Sequence, residues 1–178
     1  MIRKLTIKNF FSVKEEVVLD LSVAKNATDP DGRFARPIPT ASERLPKVIV
    51  LFGANASGKT NVLRAFTFLF DFARNSATWP PEALIPFLPF DTAESDSPIT
   101  RLTIEVDGVL FPDEQQRKIY TYDLAVDSAR RIVVSESLRY IPERKSRWLF
   151  QREGSAIEAG SDFDLSRQDP VRQKVRNN

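Results

Sequence analysis

The 178-residue sequence has no cysteine, no histidine and a single methionine. Without cysteine there are no disulfides, zinc–thiolate sites or thiol nucleophiles. Without histidine, Ser-His, Cys-His and His-metal chemistries are excluded within this chain. Charge imbalance is scarce too. Twenty-six basic against 24 acidic side chains leave +2, too little to argue for nucleic acid or a membrane surface. The pI near 9.0 follows from the missing histidines, because the titration curve is flat near neutrality and a small basic excess moves it far. Long apolar runs are also missing. Residues 1–6 begin a strand-like alternation rather than a signal peptide, and the Phe-rich run 66–73 is interrupted by Thr67 and Asp71. The expectation is a soluble cytoplasmic protein with no membrane partner.

What is present suits a packed globular fold. Hydrophobic residues make up 42% and charged residues 28%, and thirteen Phe supply core-forming surface. The length allows one well-cored domain or a large part of a bigger one. Residues 2–9 and 16–23 read as strands, separated by Asn9-Phe10-Phe11-Ser12. Residues 24–46, with Asp29-Pro30-Asp31-Gly32, Pro37, Pro39 and Pro46, read as a long surface loop. Lys47-Val48-Ile49-Val50-Leu51-Phe52 is a continuous apolar, β-branched run, as expected for a strand buried on both faces of a parallel sheet. From Lys59 to Arg74 the period turns helical. Arg64, Thr67, Asp71 and Arg74 form a narrow polar stripe, which predicts a mostly buried helix. A second Pro-rich loop spans 75–98. Beyond it an antiparallel meander is expected, with strands near 102–106, 119–127, 132–141 and 148–150, and Val109 to Phe111 as a return arm after Asp107-Gly108. From Gly154 onward the strand signal fades.

Between the apolar run and the helix stands Gly53-Ala54-Asn55-Ala56-Ser57-Gly58-Lys59-Thr60, which fits G-x-x-x-x-G-K-[ST] at every specified position. Strand before and helix after are the context that this motif requires. Gly53 and Gly58 let the backbone wrap so that successive N–H groups form an anion nest. The helix aims its positive end at the same place. Lys59 is expected to reach the β- and γ-phosphates of ATP, and the Thr60 hydroxyl to ligate Mg²⁺. Every residue from 53 to 60 is therefore a candidate binding residue.

The stretch Leu5-Thr6-Ile7-Lys8-Asn9-Phe10-Phe11-Ser12-Val13, the apolar run, and the motif continuing into Asn61-Val62-Leu63 resemble the start of SMC/RecF/OLD-type ABC ATPases. Residues 88–90, 104–108, 120–123, 135–138 and 148–150 look like the N-terminal half of AAA-type ATPases common in bacterial antiphage and abortive-infection systems. The resemblance implies that Ser12 and its neighbours lie beside the base or ribose, and that Asn61 stacks behind the phosphate loop. It also implies heads that associate around ATP, and a nuclease or other effector protein as partner. Many members carry Arg after the first Phe, where this chain has Phe11.

The expected fold is α/β: a P-loop NTPase, namely an ABC-type head lobe with a mixed sheet, a central P-loop helix and an antiparallel meander. It is expected to be incomplete as a domain. The lobe is expected over 1–153, with 154–178 a polar tail or the start of a missing part. No catalytic residue is identifiable. A strand of four apolar residues followed by Asp-Glu is absent: Leu124-Ala125-Val126-Asp127 is followed by Ser128, and Asp20 also lacks its Glu. Leu165-Ser166-Arg167-Gln168 matches only half of the family's Leu-Ser-Gly-Gly signature, and Gln115-Gln116 sit in a polar loop. The cluster Arg139, Arg144, Lys145, Arg147 and Arg152 reads as a solvated hairpin tip, and nucleic acid stays a partner that the charge does not support. Tyr120, Tyr122, Tyr140, Trp148 and Phe150 read as a packed sheet face. The expected activity is ATP binding, with hydrolysis once the remainder is supplied, gating an antiphage effector. The alternatives are a RecF- or SMC-like DNA-repair ATPase and a non-catalytic, nucleotide-dependent scaffold.

Overall fold

The computed structural model describes residues 1–38, 42–80, 86–90, 99–109, 117–127, 129–130, 132–141 and 146–161. Nine strands and one α-helix are found among them: β1 (Ile2–Lys8), β2 (Val17–Asp20), β3 (Phe34–Ala35), β4 (Leu45–Pro46), α1 (Lys59–Asn75), β5 (Ile99–Gly108), β6 (Lys118–Asp127), β7 (Ile132–Ile141), β8 (Arg147–Glu153) and β9 (Ala156–Ala159). Seven strands make one sheet in the order β2-β1-β5-β6-β7-β8-β9. Every pairing in it is antiparallel. Strands β3 and β4 form a separate two-residue ladder.

Alternation along the strands makes one face of this sheet apolar. Leu5 and Ile7 of β1, Leu102 and Ile104 of β5, and Tyr122, Leu124 and Val126 of β6 join one core cluster. Helix α1 lies on that face and contributes Ala65, Phe68, Leu69 and Phe72. A second, smaller cluster of Tyr120, Tyr140 and Leu149 continues the core toward β8. The meander thus matches its sequence expectation, with longer strands. Strand β9, which the sequence does not announce, extends the sheet. The return arm expected at Val109 is not a strand, and residues 110 and 111 lie outside the described residues.

Two expectations are corrected. The run Val48-Ile49-Val50-Leu51-Phe52 is not a strand: Val48 is 78% exposed, Val50 61% and Phe52 88%. A strand apolar on both sides needs neighbours on both edges, and among the described residues no strand pairs with this run. Likewise α1 is buried on one side only, with Leu63 56% and Phe70 53% exposed. One sheet covers one face of a helix, and a second layer is absent among the described residues.

The two long loops carry more order than their composition suggests. Arg44 donates to the carbonyls of Ala24, Lys25 and Ala27 and lies over the Phe34 ring, so one guanidinium gathers much of the first loop. In the second, Phe87 is buried against Phe10 and Phe68, with ring centroids 5.0 and 4.7 Å apart. Trp79 packs edge-on to Phe72.

Candidate functional site

The sequence turns from the exposed run into α1 through residues 53–60. Gly53 has φ +153° and Gly58 φ +89°, both in the half of backbone space that favours glycine, and Ala56 has φ +62°. A Cβ at Gly53 would sit 2.9 Å from the Ser57 hydroxyl oxygen. The loop closes on itself with Ser57 N–H donating to the Ala54 carbonyl at 3.3 Å. Gly58 is the residue before the helix and supplies no side-chain cap, and the first turn contains no acidic residue. The amides of Ala54, Asn55, Ala56, Gly58, Lys59 and Thr60 have no acceptor among the described residues.

Six open donors at a helix start would be costly if buried, and here they belong to residues that are exposed or partly exposed. With the axial dipole of a helix about 25 Å long, such a set of donors is suited to an anion. The Lys59 ammonium folds into the loop, donating to the carbonyls of Gly53 (2.9 Å) and Ala54 (2.6 Å) and to Ser57 Oγ (3.3 Å). It is therefore held where an anion cradled by the amides would meet a positive charge. The donor set and charge fit a polyphosphate, and Thr60, exposed at the helix start, offers a hydroxyl for a hard cation.

A second group stands beside the loop. Asn61 Nδ2 donates to Ser12 Oγ at 2.7 Å, joining the turn after β1 to the first turn of α1. Arg64 Nη1 donates to Asn61 Oδ1 at 3.3 Å, and its guanidinium lies 4.9 Å from the centre of the Phe11 ring. This turn is held from below by Asn9, whose φ of +53° ends β1. Its side chain donates to the Ile99 carbonyl and accepts from Phe90 N–H. Phe11 N–H donates to the Leu88 carbonyl. The structure thus brings Ser12 and Asn61 to the rim of residues 53–60. Arg64 and Phe87, which sequence reasoning passed over, belong to the same neighbourhood. The signal for Arg64 was its spacing of four from Thr60, which puts both on one helix face.

The other sequence-selected residues lie away from the loop. Asp127, at the end of β6, accepts from Arg130 N–H and pairs with its side chain. Asp20 accepts from Ser22 N–H, which holds its carboxyl below the usual range. Arg139 pairs with Asp123 and stacks over Trp148, and Arg152 faces Glu136, so these cations are engaged within the meander. Glu136 accepts from the Tyr122 hydroxyl at 2.7 Å. Burial raises the affinity of Glu136 for its proton, against the pull of that hydrogen bond and of Arg152. Glu143, Arg144, Lys145, Gln115, Gln116 and Leu165-Ser166 lie outside the described residues. Among the described residues no three Asp or Glu side chains converge as metal ligands, and no helix is long and apolar enough to cross a membrane.

A protein family described as "AAA domain, putative AbiEii toxin, Type IV TA system" matches residues 48–174. The match begins at the exposed apolar run and takes in the loop, α1 and the meander. The chain is also similar to a solved structure from work on "ATP-driven dimerization and DNA stimulated activation of SMC ATPases". Identity is 19%, coverage 82% of this chain and 70% of that one, and the TM-score 0.38. No curated protein matches the chain.

Proposed function

The chain belongs to the AAA domain family of putative AbiEii toxins of type IV TA systems, and from that premise we propose that residues 53–60 hold the phosphates of ATP. A P-loop ATPase domain binds nucleotide; the assignment of that role to these residues is ours. The observation that carries it is the set of six acceptor-free amides beside the Lys59 ammonium, at the start of a helix with no acid in its first turn. Thr60 would hold Mg²⁺, which when bound offsets phosphate charge. Asn61 and Ser12 border the nucleoside side.

The exposed run 48–52 supports the further reading that residues 1–153 are one lobe of a larger head. The missing part would supply strands flanking that run and the acidic pair needed for hydrolysis. With it, ATP draws two heads together and gates an effector protein, such as a nuclease, in antiphage defence. A second reading is a nucleotide-dependent scaffold without turnover. It is favoured by the lack of an Asp-Glu strand in the sequence and of an acidic cluster among the described residues.

ATP titration of the wild type and of Lys59→Ala tests the first proposal. We expect at least a tenfold weaker Kd for the variant, and equal affinities would end it. Turnover of the chain alone, against turnover with its genetic neighbour added, separates the readings. Hydrolysis only in the mixture supports the gated ATPase, and none in either supports the scaffold.

A further inference from the structure

The guanidinium of Arg64 is held in place from two sides. Phe11 lies under it at 4.9 Å, and Asn61 Oδ1 accepts from it at 3.3 Å. Each support is itself fixed. Phe11 sits in the turn after β1 with φ +47°, bound through its N–H to the Leu88 carbonyl and edge-on to Phe10 at 4.8 Å. Asn61 is tied to Ser12. A long cationic side chain on an exposed helix face loses conformational freedom when held this way, and Arg64 stays exposed as a residue.

Beside it opens a cleft of about 580 Å³, lined by Phe10, Phe11, Thr60, Leu63, Arg64 and Phe68 among others. That volume lies within the range of small-molecule sites. Its walls are mostly apolar, which suits the faces of a flat ring, and Thr67 and Asp71 add polar groups that could meet the edge of a heterocycle. One end is Thr60, the last residue of the loop, and Arg64 follows one helical turn later, about 6 Å along the axis. A nucleotide with its phosphates on residues 53–60 therefore has its nucleoside within reach of this cleft.

We propose that Arg64, laid on Phe11 and tethered by Asn61, is the platform on which the base of the bound nucleotide stacks. The proposal rests on residues 53–60 holding the phosphates. A planar guanidinium backed by an aromatic ring offers its outer face to a heterocycle, which a lysine ammonium cannot do. Phe11 thus prepares a cation that comes from the helix.

The test is titration of the full chain with ATP and with inorganic tripolyphosphate, for wild type, Arg64→Ala, Arg64→Lys and Phe11→Leu, with circular dichroism melts as a folding check. Stacking predicts that Arg64→Ala weakens ATP about tenfold, while tripolyphosphate affinity changes less than about twofold. Arg64→Lys should resemble Arg64→Ala, and Phe11→Leu should fall between it and wild type. Three results overturn the proposal alone: unchanged ATP affinity in Arg64→Ala, equal losses for ATP and tripolyphosphate, or full rescue by lysine. A wild type that binds neither compound instead overturns the phosphate-loop reading beneath it.

Discussion

Asn61, three residues past Gly58, gives its side-chain amide to the hydroxyl of Ser12 at 2.7 Å, across 49 positions of sequence. This bond fixes the turn after β1 against the start of α1. Both side chains have solvent access, so its net worth is modest, about 0.5–1.5 kcal/mol. Ser12→Ala, Asn61→Ala and the double variant form a cycle in which stability is read by urea unfolding. We expect the double variant to lose less than the sum of the singles by that amount. Strict additivity would mean that the two side chains do not meet in solution.

Gly58 places the helix start by adopting φ +89°. An alanine there meets nothing closer than Ser12 Oγ at 3.9 Å, so the cost is conformational rather than steric: about 1–2 kcal/mol. The loop can escape this strain by refolding, which turns its amides away. Gly58→Ala should therefore lower stability by about that amount and weaken ATP at least tenfold, measured by denaturant unfolding and calorimetry. Lost stability with intact ATP affinity would show that the nest does not need this conformation.

Much of this site was legible because its signals are local. The motif at 53–60 names its own glycines, lysine and hydroxyl, and the period after Lys59 places the helix. The meander was legible through alternation and Asp-Gly. What escaped depended on other parts of the chain. Val48 to Phe52 read as a buried strand because composition reports the environment that a segment suits, and the described residues supply no neighbour for it. Phe87 looked like loop because prolines surround it, yet three-dimensional proximity to Phe10 and Phe68 makes it core. Arg64 read as one member of a polar stripe; only the fold puts Phe11 beneath it.

Phe87 is the anchor by which residues 86–90 pack against the middle of α1. It is 5% exposed and packs on two other buried rings. Phe87→Ala removes a full ring from this cluster and should cost about 3–5 kcal/mol in urea unfolding. Phe87→Leu keeps most of the volume and should cost less than about 1.5 kcal/mol. A loss under about 1 kcal/mol for the alanine variant would place Phe87 outside the core.

The run 48–52 makes the opposite prediction. Val50 is apolar and 61% exposed, with no backbone partner among the described residues. Val50→Lys should leave the stability of the chain by itself within about 0.5 kcal/mol of wild type. Amides of residues 48–52 should exchange with deuterium far faster than those of β6, read by mass spectrometry. If a completing polypeptide pairs with this run, its addition will protect those amides in the wild type and not in Val50→Lys. Protection in the chain alone would show that the run already has a partner strand.

The burial of Glu136 beside Tyr122 gives the meander a pH dependence whose sign follows from desolvation. Glu136 is largely buried and accepts the Tyr122 hydroxyl, with Arg152 at 3.9 Å. Burial outweighs both partners and raises its pKa above the ordinary value of 4.5. The folded state therefore holds this proton more tightly than the unfolded chain does. Stability is full below the unfolded pKa and falls as pH rises from there to the folded pKa. Glu136→Gln keeps an oxygen for Tyr122 and removes the charge. Its melting temperature relative to wild type should therefore shift in the variant's favour as pH rises above the ordinary carboxyl value of 4.5. Thermal melts across that value decide the matter: a difference that stays flat, or moves the other way, means that ionised Glu136 is paired well enough to cost nothing.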